Sequence, residues 1–91
     1  PSINRDIAIQ IDNAVPAEEV RDAIIKHGGE FLSSIHLFDV YKDKKLGKNK
    51  KSLAYSLNFE SSERTLVDDE ADKWVSNIIK VLKTKFNIIH R

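Results

Sequence analysis

This 91-residue sequence predicts an α+β fold of β-α-β-β-α-β order, one four-stranded antiparallel sheet with two helices on one face. Three observations predict it. Residues 5–11 and 52–59 alternate apolar and polar side chains with the period of half-buried strands. Two stretches, one beginning at Pro16 and one near Asp68, repeat their apolar residues at helical spacing instead. The pair Gly28-Gly29 separates the first of these from a third strand-like run.

In the first strand Ile7, Ile9 and Ile11 share one face, and Asp6, Ala8 and Gln10 the other. After a short connection over 13–15, Pro16 fits the first turn of a helix, where its missing N–H has no partner to lose. That helix should run to about His27, with Val20, Ala23, Ile24 and His27 on one stripe. Glu18 and Glu19 sit at its positive end, and the two glycines supply a left-handed stop.

The second strand, over 31–41, breaks its own alternation. Ile35 and Leu37 share a parity with Asp39 and Tyr41, while Phe38 and Val40 take the other, so a bulge or partial cover of both faces is expected near Leu37-Phe38. The third strand is cleaner: Leu53, Tyr55, Leu57 and Phe59 on one face, Ser52, Ala54, Ser56 and Asn58 on the other.

A polar connection over 60–68 leads to the second helix, for which Thr65, in a capping box with Asp68, or Asp68 alone is the expected cap. Its stripe is Ala71, Trp74, Val75, Ile78, Leu82 and Phe86, and its acidic start and lysine-rich end suit the helix dipole. Ile88-Ile89 can form a short last strand. Two right-handed β-α-β crossings satisfy this order, which is the ferredoxin-like split. It leaves one sheet face without helices.

Length allows one domain, residues 1–91, burying about 60% of the surface its unfolded chain exposes. The chain opens at Pro1 without a methionine and is expected to be a fragment of something longer. With no cysteine it has no disulfide framework, iron–sulfur cluster, cysteine zinc site or thiol catalysis. No apolar run approaches the ~18 residues of a membrane span, so a cytoplasmic protein with no membrane partner is expected.

The formal net charge of +1 hides an asymmetry: residues 42–51 hold six lysines against the single Asp43, so the rest of the chain is acidic. Such a loop can steer a polyanion without making the whole protein basic. On the face without helices the strands place Ala8, Ser52, Ala54 and Ser56, with Asp39 and Tyr41 where the lysine loop begins. Small residues admit a flat ring, an aromatic side chain stacks on a base, and a carboxylate accepts from a base edge. Asp39 suits guanine, whose N1–H and amino group are adjacent donors. The competing reading is structural: Asp39 bonds turn amides, Tyr41 packs at a strand end, and the lysines belong to a mobile hairpin connection.

Catalysis finds little support. The three histidines lie apart, with no HxxxH or HExxH, and the serines have no base partner. Asp68, Asp69, Glu70 and Asp72 read as helix-start charge rather than a metal cluster, and Trp74 as core. Gly47 is the only glycine of the lysine loop, so no phosphate-cradling GxxxxGK[ST] motif is present.

Taken together, PSINRDIAI at the start, LFDVY at 37–41, KKSLAYSLNF at 50–59, ERTL at 63–66 followed by DDE, and the terminal Arg91 resemble the C-terminal anticodon-binding domain of the phenylalanine–tRNA ligase β subunit. Their joint order and spacing span nearly the whole chain. The resemblance implies a module that binds phenylalanine tRNA and reads a guanine at the first anticodon position through Ala8, Asp39, Tyr41 and Ser52. Lys44, Lys45 and Lys48 would then supply attraction to RNA.

It also implies partners, the remaining β-subunit domains and a catalytic α subunit, and a parent enzyme using ATP and magnesium, with no cofactor or catalytic residue in this domain. Arg5 and Arg64 match family positions, with structural or phosphate roles equally open. Three residues depart from the pattern: Asn49 stands where a glycine commonly precedes KKS, Val67 where a capping threonine follows TL, and His90 where a leucine precedes the last arginine. The alternative is a small-molecule regulatory or protein-interaction domain on the same fold.

Overall fold

The computed structural model describes residues 1–91 as β1 (Ser2–Asp12), α1 (Ala17–His27), β2 (Leu32–Tyr41), a 3-10 turn (Lys44–Leu46), β3 (Lys50–Glu60), α2 (Asp68–Phe86) and β4 (Ile89–His90). The sheet order is β2-β3-β1-β4, every neighbour antiparallel, which is the ferredoxin-like arrangement. β1 and β3 form its spine, paired without interruption from Ser2 opposite Glu60 to Asp12 opposite Lys50.

The odd-numbered residues of β1 and β3 face the helices. Ile7, Ile9, Ile11, Leu53, Leu57 and Phe59 are buried there against Val20 and Ile24 of α1 and Ile78 and Leu82 of α2. Tyr55 is buried among them, and its hydroxyl donates to the Ala17 carbonyl at 3.0 Å, tying β3 to the first turn of α1. Trp74 lies between Phe31 and Phe59, with ring centroids 5.4 and 5.2 Å away, so it serves the core. Ile79 joins the buried set beyond the six-residue stripe the spacing marks in α2, whereas His27, on the stripe of α1 by spacing, is exposed.

Chain turns follow local chemistry, with some corrections to the sequence reading. Pro16 is the cap residue of α1 rather than its first helical residue. Gly29, at φ +87°, supplies the left-handed stop; Gly28 stays right-handed and is needed for space, since a Cβ there would lie 2.8 Å from the Ile24 backbone carbonyl oxygen and would also meet Leu32 Cδ2. Neither Thr65 nor Asp68 caps α2. Val67 occupies that position, its N–H donates to Glu70 Oε1 at 3.2 Å, and Arg64 holds the same carboxylate through two bonds of 2.9 and 2.7 Å. A valine has no side-chain acceptor, so only this reach-back half of a capping box forms.

The acidic start of α2 is thus committed to arginines. Arg5 donates to Asp68 at 2.9 Å and Asp72 at 3.1 Å, and Arg64 also lies over the Phe31 ring. Arg5, on β1, holds the helix start to the sheet, and Arg64 holds it to the connection that precedes it. At the other end Asn87, at φ +55°, closes the helix by donating to the Lys83 carbonyl. Ile88 is buried, and pairing begins one residue later than the sequence suggests, with Ile89 opposite Gln10 and His90 opposite Ile9.

Candidate nucleic-acid interface

Paired residues in a sheet share a face, so the register fixes what the helix-free face presents. β2 carries two irregularities, one between Leu32 and Ser34 and one between Leu37 and Asp39. The second leaves Phe38 as an extra residue and reverses the parity of the residues after it. Leu37 opposes Tyr55 on the helix side, but Asp39 opposes Ala54 and Tyr41 opposes Ser52 on the other.

Two neighbouring rows result. One runs Asp39–Ala54–Ala8 and the other Tyr41–Ser52–Gln10, across β2, β3 and β1. Ala8, Asp39, Tyr41 and Ser52, expected at the site from sequence, therefore share one face in two adjacent rows about 7 Å apart. The alanines make a shallow floor. The Asp39 carboxylate has no hydrogen bond or ion pair within the chain, and Tyr41 is 48% exposed, so a carboxylate and a ring edge that floor with free surface.

The structural role that Asp39 could have had belongs instead to Asp43. Asp43 accepts from the Lys45 N–H at 2.9 Å, capping the 3-10 turn, and from the Tyr41 hydroxyl. Its carboxyl pKa is lowered, first by the Lys45 amide and then by Tyr41. The Tyr41 pKa is raised, chiefly by that bond and further by desolvation, while the charge of Arg91 acts the other way. Tyr41 is thereby held at its tip with its ring exposed.

The lysine loop is a shaped element tied to β1 rather than a loose connection. Gln10 Nε2 donates to the Leu46 carbonyl at 2.9 Å, Asn13 N–H donates to the Asn49 carbonyl at 2.7 Å, and Gly47 and Asn49 take φ of +104° and +64°. Lys42, Lys44, Lys48 and Lys50 line one polar hollow with Asn13 and Asn49. Lys45 lies outside this hollow, and Lys51 is buried on the helix side of β3. Lys42 and Lys50 are thus the additions that charge counting alone does not single out.

Arg91 is the other addition. Its N–H donates to the Ala8 carbonyl at 2.8 Å, continuing the pairing of Gln10 with Ile89. Parity with Ile89 puts it on the helix-free face, beside the alanine floor. No group of three or more His, Asp or Glu residues is gathered that could hold a metal ion, and no helix is long and apolar enough to cross a membrane.

The model of the ferredoxin-fold anticodon binding domain family matches residues 1–91. Among curated proteins, the phenylalanine–tRNA ligase beta subunit of Corynebacterium glutamicum is 44% identical over 87 residues, covering 96% of this chain and 10% of that protein. The phenylalanine–tRNA ligase beta subunit of Listeria monocytogenes is 41% identical over 91 residues, and that of Bacillus licheniformis 36%, each match covering 100% of this chain and 11% of the relative. The chain spans about a tenth of the length of the curated relatives it matches.

Proposed function

Because the chain belongs to the ferredoxin-fold anticodon binding domain family, we propose that its helix-free face binds the anticodon of a phenylalanine-accepting tRNA and reads a guanine at the first position. The observation that carries this reading is the Asp39–Ala54–Ala8 row beside Tyr41–Ser52. A guanine ring lies on the alanines, Tyr41 stacks against it, Asp39 accepts from N1–H and the amino group, and Ser52 offers a hydroxyl beside them. The two-donor edge is what a carboxylate distinguishes from adenine. Arg91, at the far end of the same row and without an ion pair in the chain, adds positive charge beside the ring.

The lysine hollow takes the sugar–phosphate backbone on either side of the read base. Lys44 and Lys48, with Lys42 and Lys50, line it. Lys45, outside the hollow, adds only long-range attraction. In this reading the domain binds and discriminates. Aminoacylation, with ATP and magnesium, belongs to the rest of a phenylalanine–tRNA ligase: further β-subunit domains and a catalytic α subunit, acting in the cytoplasm.

Amide spectra of the isotope-labelled protein during titration with a phenylalanine anticodon stem-loop test this placement. Shifts should concentrate at Ala8, Asp39, Tyr41, Ser52 and Ala54 and in the lysine loop. Shifts confined to α1 and α2 would contradict it.

A further inference from the structure

Phe38, the extra residue of the β2 bulge, has no partner of its own in the ladder. Leu37 opposes Tyr55 and Asp39 opposes Ala54, so Phe38 and Asp39 together stand against Ala54. Two residues of a bulged strand that share one partner lie toward that partner's face, here the face without helices. Ile35 and Leu37 pack against the core, whereas Phe38 lies outside it and is 50% exposed, leaving its ring accessible.

The surroundings of Phe38 are polar. On its face the neighbouring row is His36 opposite Ser56, and Asp39 follows it along the strand. Val40, the other exposed apolar residue nearby, opposes Leu53 and belongs to the opposite face, so the two do not make one apolar patch. A single aromatic ring among small polar groups, on the same face as Asp39, suits a nucleobase better than an apolar protein surface.

Phe38 and Tyr41 therefore flank Asp39 along β2, with their Cα atoms about 10 Å apart by strand rise. We propose that Phe38 is a second stacking platform, taking the base next to the guanine that Asp39 and Tyr41 hold. This rests on the guanine reading and deepens it. Stacking on a ring face is tolerant of base identity, so Phe38 adds affinity and fixes the path of the RNA strand, while selection stays with Asp39. The bulge then has two effects at once: it turns Asp39 and Tyr41 outward and supplies the extra ring.

The test is a cycle between Phe38→Ala and anticodon stem-loops carrying an abasic nucleotide on one side of the guanine or on the other. With the unmodified protein, one of the two abasic replacements should weaken binding about tenfold. With Phe38→Ala the intact stem-loop should bind about tenfold more weakly, that abasic penalty should vanish, and the ratio of guanine to adenine affinity should stay as it was. Phe38→Tyr, which keeps a ring, should retain both affinity and penalty. An abasic penalty equal in Phe38→Ala and the unmodified protein, or an affinity unchanged by Phe38→Ala, overturns the stacking role. Equal binding of guanine and adenine by the unmodified protein would instead overturn the base reading itself, so the two failures are distinguishable.

Discussion

Tyr41 stands directly opposite Ser52 across the β2–β3 ladder, on the sheet face without helices. Plain alternation from Ile35 and Leu37 would have turned it toward the helices. The extra residue Phe38 reverses that parity, and with it the direction of Asp39. The bulge is therefore the feature of the backbone on which the candidate site depends.

Deleting Phe38 should make Leu37 opposite Tyr55 and Asp39 opposite Ala54 consecutive in a regular ladder, so Asp39 and Tyr41 should stay on the helix-free face. Guanine preference should survive, affinity should fall, and the protein should be destabilised by about 1–3 kcal/mol. Phe38→Ala keeps the residue count, and Phe38 is already half-exposed, so it should keep both the fold and the preference while losing affinity. Binding and thermal unfolding of the two variants side by side check this. A folded deletion variant that lost its preference for guanine would refute the assignment of Phe38 as the extra residue of the ladder.

Lys44→Gln with Lys48→Gln should weaken binding of every anticodon sequence alike. Both residues line the polar hollow, and each phosphate contact on a single strand adds about 0.7 to the slope of log affinity against log salt. The slope should fall by about 1 to 1.5, with the ratio of guanine to adenine affinity unchanged. Lys45→Gln should change the slope less than either. A change in base preference would show that the lysines read as well as attract.

Glu70 links the end of the β3–α2 connection to the helix start, and its pH dependence has a definite sign. The two Arg64 bonds, then the Val67 amide, lower its pKa from 4.5 to about 2. A depressed carboxyl pKa contributes stability that is whole above the unfolded value and lost as pH falls through the folded one. Glu70→Gln should therefore melt below the unmodified protein near neutral pH, and the gap should close between 4.5 and about 2. A gap that widened on acidification would contradict the assignment.

Gly28→Ala should destabilise by about 1–3 kcal/mol through overpacking, because its Cβ would meet the Ile24 backbone carbonyl at 2.8 Å and run into Leu32 Cδ2. Gly29→Ala meets no atom within 4 Å, so its cost comes only from φ +87° and should be about 1–2 kcal/mol. Denaturant unfolding distinguishes them, since only the first should disturb packing around Leu32. Unchanged stability in Gly28→Ala would refute the steric account.

The sequence made the fold legible where periodicity and end signals agreed, as in β1, β3 and both helices. It also exposed the bulge, because a regular strand would turn Ile35, Leu37, Asp39 and Tyr41 all to one face and so set a carboxylate among core residues. The α2 cap was hidden for a physical reason: Val67 has no capping atom, and its amide is met by Glu70, whose position depends on Arg64. Charge counting located the lysine loop but could not sort its members, since Lys45 lies outside the hollow and Lys51 is buried by strand parity. Arg91 gained a place beside Ala8 only through the pairing of β4, two residues long, which leaves almost no periodic signal.

The central claim, that Asp39 reads a guanine on the alanine floor, is tested most directly by the affinities of two anticodon stem-loops differing only in their first base, guanine or adenine. For the unmodified protein guanine should bind about tenfold or more tightly, and Asp39→Ala should narrow that ratio toward one while leaving adenine affinity nearly unchanged. Equal affinity for the two bases in the unmodified protein, or an undiminished ratio in Asp39→Ala, would contradict it.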